Sequence, residues 1–108
     1  MKQITIYWRD IPSQIILKKG RNKTKEILPP RFQKAIDRAA MRAGKGGSQA
    51  YIEEWRGETV EIDSNADPCV VVTEEALAID SRYSDGDLEA LIKNKGVALT
   101  ALSAQGNT

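Results

Sequence analysis

The chain of 108 residues contains no histidine and a single cysteine, Cys69. Without histidine it cannot supply the usual imidazole base, a Ser-His or Cys-His nucleophilic pair, or a zinc site of mixed Cys and His ligands. One cysteine excludes an internal disulfide, a Cys-x-x-Cys redox pair and a multi-cysteine metal site within one chain. We therefore expect no catalytic, cofactor-binding or metal-binding residue and a protein that is not an enzyme, unless a partner protein completes a shared site.

Long hydrophobic runs are also absent from the sequence. No apolar run approaches the ~20 residues that a membrane helix needs, and residues 1–8 lack the hydrophobic segment of a secretory signal. The hydrophobic fraction of 41% and the charged fraction of 29% are typical of globular proteins. We expect one domain over residues 1–96, a flexible tail over residues 97–108, and a cytoplasmic protein that binds no membrane.

Positive and negative charges are separated along the chain. Residues 1–47 hold 12 Lys and Arg against 3 Asp and Glu, whereas residues 48–108 hold 4 against 12. The two halves therefore carry +9 and −8, although the whole chain carries only +1. If the two halves form separate surfaces, each would attract a partner of opposite charge and fix its orientation. The separation favours binding to another protein or to a second copy; the simpler alternative is that the halves neutralise each other within one fold.

The first strand is predicted over residues 3–8, where polar and apolar side chains alternate. Ile4, Ile6 and Trp8 fall on one face of such a strand, and the residues between them fall on the other. This period of two is typical of a half-buried strand.

A hairpin and a third strand are predicted next. The turn-forming residues 10–13 separate the first strand from the apolar run at residues 14–19. Residues 24–28 have the pattern of a strand that returns beside it, and Pro29 and Pro30 end that strand. The sheet is therefore expected to contain two or three strands.

Helices are predicted after the strands. The clearest begins at Pro30 and continues, with apolar residues three and four positions apart, until Gly44. Three more are predicted, over residues 48–57, from Asp67 onward, and over residues 84–96. The β-branched residues 70–73 leave a strand open as the alternative to the third helix. The fold class is α+β, a small antiparallel sheet of two or three N-terminal strands packed by about four helices, with residues 58–66 as an exposed connection.

The densest basic segment covers residues 18–34, in which Glu26 is the only acid. Clustered Lys and Arg can follow a phosphate backbone, with Trp8 or Tyr7 as stacking side chains, so a nucleic-acid-binding module that uses this segment is the alternative to protein binding. A solvated loop is the simplest explanation. The residues expected to bind a partner are Trp8, Arg9, Asp10, Lys18, Lys19, Arg21, Lys23, Lys25, Arg31 and Lys34.

Two segments resemble a small bacterial family described as virulence factor. They are residues 4–14, whose sequence is Ile-Thr-Ile-Tyr-Trp-Arg-Asp-Ile-Pro-Ser-Gln, and residues 28–41, which begin Leu-Pro-Pro-Arg-Phe. The most specific part is Trp8–Pro12, and the resemblance is weaker over Tyr51–Arg56. It implies no activity, cofactor or catalytic residue. It does imply that Trp8–Pro12 forms a fixed turn, which either presents its charged residues to a partner or simply packs its apolar ones.

Overall fold

The computed structural model describes residues 1–45 and 47–98, which form an antiparallel sheet and four helices. The strands are β1 (Lys2–Trp8), β2 (Ile11–Lys19), β3 (Asn22–Ile27) and β4 (Trp55–Glu61). The helices are α1 (Pro30–Arg42), α2 (Ser48–Ile52), α3 (Pro68–Arg82) and α4 (Asp85–Lys93). The strands are arranged in the order β3-β2-β1-β4. The predicted α+β class is confirmed. Most of the predicted tail, residues 99–108, lies outside the described residues.

The fourth strand corrects three predictions, the first being the number of strands, which is four and not two or three. The helix predicted up to Gly57 ends at Ile52. Of the connection predicted over residues 58–66, residues 58–61 instead belong to β4, which pairs along β1 from Trp8 opposite Trp55 to Lys2 opposite Glu61. The sequence of β4 contains a glycine and three glutamates or arginines among seven residues, so its own β propensity is low. The strand forms because the edge of β1 offers unpaired backbone groups.

The turn of the first hairpin is also shorter than predicted, because β2 begins at Ile11. Arg9 and Asp10 make the whole turn, and Arg9 adopts a left-handed backbone with φ of +54°. Pro12 lies within β2, beside a shift in the β1–β2 register. Such a bulge tolerates a proline that a regular ladder would exclude.

The local signals predicted for the starts of α1, α3 and α4 are confirmed, whereas the N-cap of α2 is Gly47 and not the predicted Ser48. Pro30 is the first residue of α1. The Asp67 side chain accepts a hydrogen bond from the Cys69 backbone N–H at 2.8 Å, and the β-branched run that follows is helical. Ser84 and Asp87 form a reciprocal capping box at α4, with both hydrogen bonds at 3.0 Å. These caps satisfy backbone N–H groups that a helix leaves unpaired.

The core lies between the helices and one face of the sheet. Helix α1 packs on β2 and α4, and α3 packs on β2 and β3. The largest fully buried side chains of the core are Trp8, Phe32, Ile11, Ile15, Leu17, Ile36 and Val72. The shortest dimension of the molecule is 21 Å, which corresponds to two layers of secondary structure about 10 Å apart.

The alternation in β1 places polar residues toward the helices. Gln3 and Thr5 are each only 8% exposed and lie opposite Leu17 and Ile15, which are fully buried. The isoleucines of β1 therefore lie on the other face. A strand pattern fixes which residues share a face, but tertiary packing decides which face is covered.

Candidate functional site

The sheet face opposite α1 and α3 carries side chains in three rows, defined by the strand pairings. In the order β3, β2, β1, β4, the first row is Lys23, Lys18, Lys2 and Glu61. The second row is Lys25, Ile16, Ile4 and Thr59. The third row is Ile27, Gln14, Ile6 and Gly57. We call this surface the open face and its first three residues, Lys23, Lys18 and Lys2, the lysine row.

The centre of the open face is aliphatic. Ile4, Ile6 and Ile16 are partly exposed and Ile27 is 66% exposed. In the described part of the chain, none of the four belongs to the buried core or to the side chains packed against it. A Cβ built on Gly57 would lie 3.1 Å from Cγ2 of Ile4 and 3.4 Å from Cδ1 of Ile6, so these isoleucines lean over β4. Contiguous exposed apolar surface commonly marks an interaction site.

The lysine row places three cations side by side across neighbouring strands. Lys18 lies directly opposite Lys2 on one side and Lys23 on the other. Like charges in such pairs are destabilising. Among the described residues, none of the three forms a salt bridge, whereas Glu61, at the end of the row, binds the Met1 amino group at 3.3 Å. The fold therefore keeps an unfavourable positive charge beside an exposed aliphatic patch.

Replacing Lys18 with glutamate is expected to raise the free energy of unfolding by about 0.5–1.5 kcal/mol, because two repulsive cross-strand pairs become attractive. The matched control is Lys19→Glu, whose cross-strand partner is the neutral Asn22. Urea unfolding at low salt measures both variants. The difference between them should shrink in about 1 M NaCl, where the Debye length is about 3 Å. Equal stabilities at low salt would contradict the repulsion.

The structure divides the basic residues predicted to bind a partner. Lys18, Lys23 and Lys25 lie on the open face, whereas Lys19 and Arg21 are exposed at the β2–β3 turn, off that face. The two on α1 lie elsewhere: Lys34 is exposed and Arg31 is partly buried. The predicted segment is therefore not one surface.

Arg31 is bound within the protein. Its Nη2 contacts Oδ1 of Asp80 at 2.7 Å and also donates to the backbone carbonyls of Asp80 and Tyr83, while Nη1 lies 3.2 Å from Oδ1 of Asp85. Its guanidinium lies 4.7 Å from the ring centre of Phe32. These contacts join α1 to the junction between α3 and α4, so each nitrogen of the Arg31 guanidinium already has a partner within the chain.

Trp8 is fully buried, although it follows the same alternation as Ile4 and Ile6. Helix α2 covers this end of β1: the Trp8 Nε1–H donates to the Tyr51 carbonyl at 2.9 Å, and the two rings stack with centres 5.8 Å apart. Gly96 lies against the other part of the indole ring. Trp8 therefore offers no surface to a partner in this structure, and its segment matches the alternative in which the apolar residues of the turn pack.

The charged residues of the turn are bonded within the chain. The Arg9 side chain binds Glu54 at 3.3 Å and donates to the Lys95 carbonyl at 2.9 Å. The hydrogen bond from Arg9 holds the pKa of Glu54 below its ordinary value. Asp10 accepts from Nη2 of Arg56 at 3.0 Å through one oxygen. These bonds tie the first hairpin to the start of β4 and to the end of α4.

A cavity of about 260 Å³ lies beside this turn, next to Tyr83 and Leu91. Its carboxylates are committed to structural bonds: Asp10 also accepts from the Ala98 backbone N–H at 2.6 Å, and Asp87 belongs to the α4 cap. Burial raises the pKa of the Tyr83 phenol, so that group is neutral at neutral pH. The cavity is therefore lined by a neutral phenol and by two carboxylates that already accept hydrogen bonds within the chain.

Metal-binding clusters and membrane spans are both missing from residues 1–45 and 47–98. No group of three or more Cys, Asp or Glu side chains within these ranges is placed to hold a metal ion. No helix in the same ranges is both long enough and apolar enough to span a bilayer.

Sequence reasoning did not identify the aliphatic half of the open face. Lys18, Lys23 and Lys25 were visible as a basic cluster, but Lys2 joins them only through the β1–β2 register. The alternation of isoleucines in β1 was a usable signal. It predicts two distinct faces, and the helices then decide which of them remains uncovered.

Comparison with known proteins identifies a family. A family model described as "Virulence factor" matches residues 6–92, from within β1 to within α4. No curated protein and no solved structure matches the chain significantly. The family match confirms the resemblance carried by residues 4–14 and 28–41 and extends it through the C-terminal helices. Since the match spans most of its length, the chain belongs to the virulence factor family.

Proposed function

We propose that this protein is a small non-catalytic interaction module or accessory subunit that binds another protein through its open face. The observation that carries this proposal is the exposure of Ile4, Ile6 and Ile16 on one side of the sheet, while Gln3 and Thr5 are buried on the other. A solvated face of an antiparallel sheet is normally polar. An aliphatic sheet face is instead suited to binding a partner protein that removes it from water.

Both components of the open face favour association. Removing apolar surface from water contributes about 25 cal/mol per Å². The lysine row contributes orientation and speed of encounter, because charges at the rim of an interface steer an oppositely charged partner. A partner that neutralises the row also relieves the repulsion between Lys18 and its two neighbours.

Nucleic acid is the second candidate, and the lysine row is the observation that favours it. The two side chains predicted to stack on bases, Trp8 and Tyr7, are not exposed on this face. Trp8 is buried, and Tyr7 lies on the opposite face of β1, where the Arg56 guanidinium sits 4.6 Å from its ring centre. Because the centre of the open face is aliphatic, a protein partner fits it better than unstacked bases do.

Affinity capture from the lysate of the source organism tests the proposal. The wild type is compared with Ile16→Glu, on the open face, and with Met41→Glu, a matched control at a 74% exposed position on α1. We expect one protein to be captured in stoichiometric amount, to survive nuclease treatment, to be lost with Ile16→Glu and to be retained with Met41→Glu. Thermal unfolding confirms that both variants are folded.

Each other outcome of the capture contradicts protein binding by this face. Capture that both variants retain equally would place the site elsewhere. Material that disappears with nuclease would favour the nucleic-acid candidate. No captured protein at low or high salt would exclude a stable partner under those conditions and overturn the proposal.

A further inference from the structure

We propose that the open face binds one amphipathic α-helix of another protein, whose aliphatic side chains cover the isoleucines and whose Asp and Glu side chains reach the lysine row. This inference rests on the proposed function and specifies the chemistry of the partner. Three observations support it: no helix of the described chain covers the centre of the open face, its rows are spaced about one helical turn apart, and the lysine row is positively charged.

Helices α1 and α3 cover one side of the sheet, whereas Ile4, Ile6 and Ile16 on the other side stay partly exposed in the described chain. With a shortest dimension of 21 Å, the described chain amounts to two layers. Ile15 and Leu17 of β2 point into the helical layer and are fully buried, while Ile16 between them is partly exposed. At this position β2 therefore carries an aliphatic residue on both sides of the sheet, but the described helices cover only one of the two sides. A helix from a partner would complete a three-layer arrangement.

The spacing of the rows is comparable to the advance of one helical turn. Successive rows are two residues apart along a strand, about 6.7 Å, and one helical turn advances about 5.4 Å. A helix lying along β1 and β2 therefore places one turn over Ile4 and Ile16 and the next turn over Lys2 and Lys18. The partner sequence is expected to have aliphatic residues three or four positions apart, with Asp or Glu one turn further on.

The charge of the open face selects an acidic helix. Its lysines are Lys2, Lys18, Lys23 and Lys25, and its single carboxylate, Glu61, is already bound to the Met1 amino group. A basic helix would be repelled. Two open faces placed against each other would also bring like charges together, so a symmetric dimer through this face is disfavoured.

A second copy offers one competing occupant. The outer side of α3 exposes Val70 and Leu77, at 47% and 62%, beside the exposed Glu74. Its chemistry resembles that of the proposed helix. Docking of α3 on the open face of another copy would be head to tail and would extend into chains or rings. The experiment must therefore separate a foreign helix from this contact.

The test is selection from a display library of helix-forming peptides about 20 residues long, with depletion on the Ile16→Glu variant. We expect the enriched peptides to share the aliphatic and acidic pattern described above. Their affinity should fall about tenfold or more for Lys18→Glu/Lys23→Glu. It should stay within about twofold for Lys19→Glu/Lys34→Glu, which changes the net charge equally away from the open face.

Several outcomes would overturn this inference. Enriched peptides that are basic or not amphipathic would exclude the acidic helix. A library in which every binder of the wild type also binds the Ile16→Glu variant, or which yields no binder, would exclude it as well. Concentration-dependent assembly in sedimentation velocity, abolished by Leu77→Glu, would assign the face to a second copy. Capture of a partner through Ile16, combined with failure of the peptide selection, would leave the proposed function standing and reject only the helix.

Discussion

Gly96→Ala is expected to lower the free energy of unfolding by about 2–5 kcal/mol, because two costs combine at this position. Gly96 has a φ of +89°, a conformation that costs an L residue about 1–2 kcal/mol. A Cβ there would also lie 2.9 Å from Cζ3 of Trp8, and crowding a packed core costs about 1–3 kcal/mol. Trp8 cannot move aside easily, because its ring is stacked on Tyr51 and its Nε1–H is bonded.

Gly20→Ala separates the two costs. Gly20 has a φ of +61°, but a Cβ at this position would meet no atom within 4 Å. It should therefore show only the backbone cost of about 1–2 kcal/mol. Urea unfolding compares the variants. Gly96→Ala should cost less in a Trp8→Phe background, because the smaller ring lacks the crowded Cζ3 of the indole. Equal effects of the two glycine variants would show that Trp8 does not pack against Gly96.

Arg31→Met is expected to lower the free energy of unfolding by about 2–3 kcal/mol. Hydrogen bonds to charged groups contribute about 1.5–3 kcal/mol, and partial exposure to solvent keeps the total from being a simple sum. The substitution keeps an aliphatic stem on α1 but leaves Asp80 and the Tyr83 carbonyl without their shared donor. The control on the same helix is the exposed Lys34→Met, which should change stability by no more than about 0.5 kcal/mol.

Arg31→Lys tests whether geometry or charge matters at this junction. Lysine keeps the charge, but its single ammonium cannot reproduce the fork that reaches Asp80, Asp85 and the nearby carbonyls together. We expect it to recover less than half of the stability that Arg31→Met loses, as measured by urea unfolding. If Arg31→Met instead left stability unchanged and abolished partner capture, Arg31 would belong to a binding surface, as the basic segment of the sequence suggests.

The sequence predicts best those features that local residues determine. The starts of α3 and α4 were predictable because the capping residues Asp67 and Ser84 lie directly before the helices they stabilise. The strand β4 was not, because its own sequence is a poor strand former and its partner β1 begins more than fifty residues earlier in the chain. Its conformation depends on long-range pairing that no local pattern reports.

The separation of charge along the sequence has two outcomes in the structure. Part of the basic half is neutralised by the acidic half, through pairs such as Arg31 with Asp80 and Arg38 with Glu89. Neutralisation within one fold, the simpler alternative, therefore accounts for that part. The lysine row is not neutralised in this way among the described residues, and it formed because the strand register aligned Lys2 with a hairpin whose cations were already visible in the sequence.

The lysine row also affects how two copies of the unbound protein interact. Exposed isoleucines on a sheet favour contact with the same surface of a second copy. A protein with such a surface is at risk of aggregation when it is unbound. Because the row sits at one end of the isoleucine patch, two copies that approach face to face meet repulsion before the patches touch. We therefore expect the three lysines to limit self-association of the unbound protein, and an acidic partner of the kind proposed above would remove that repulsion when it binds.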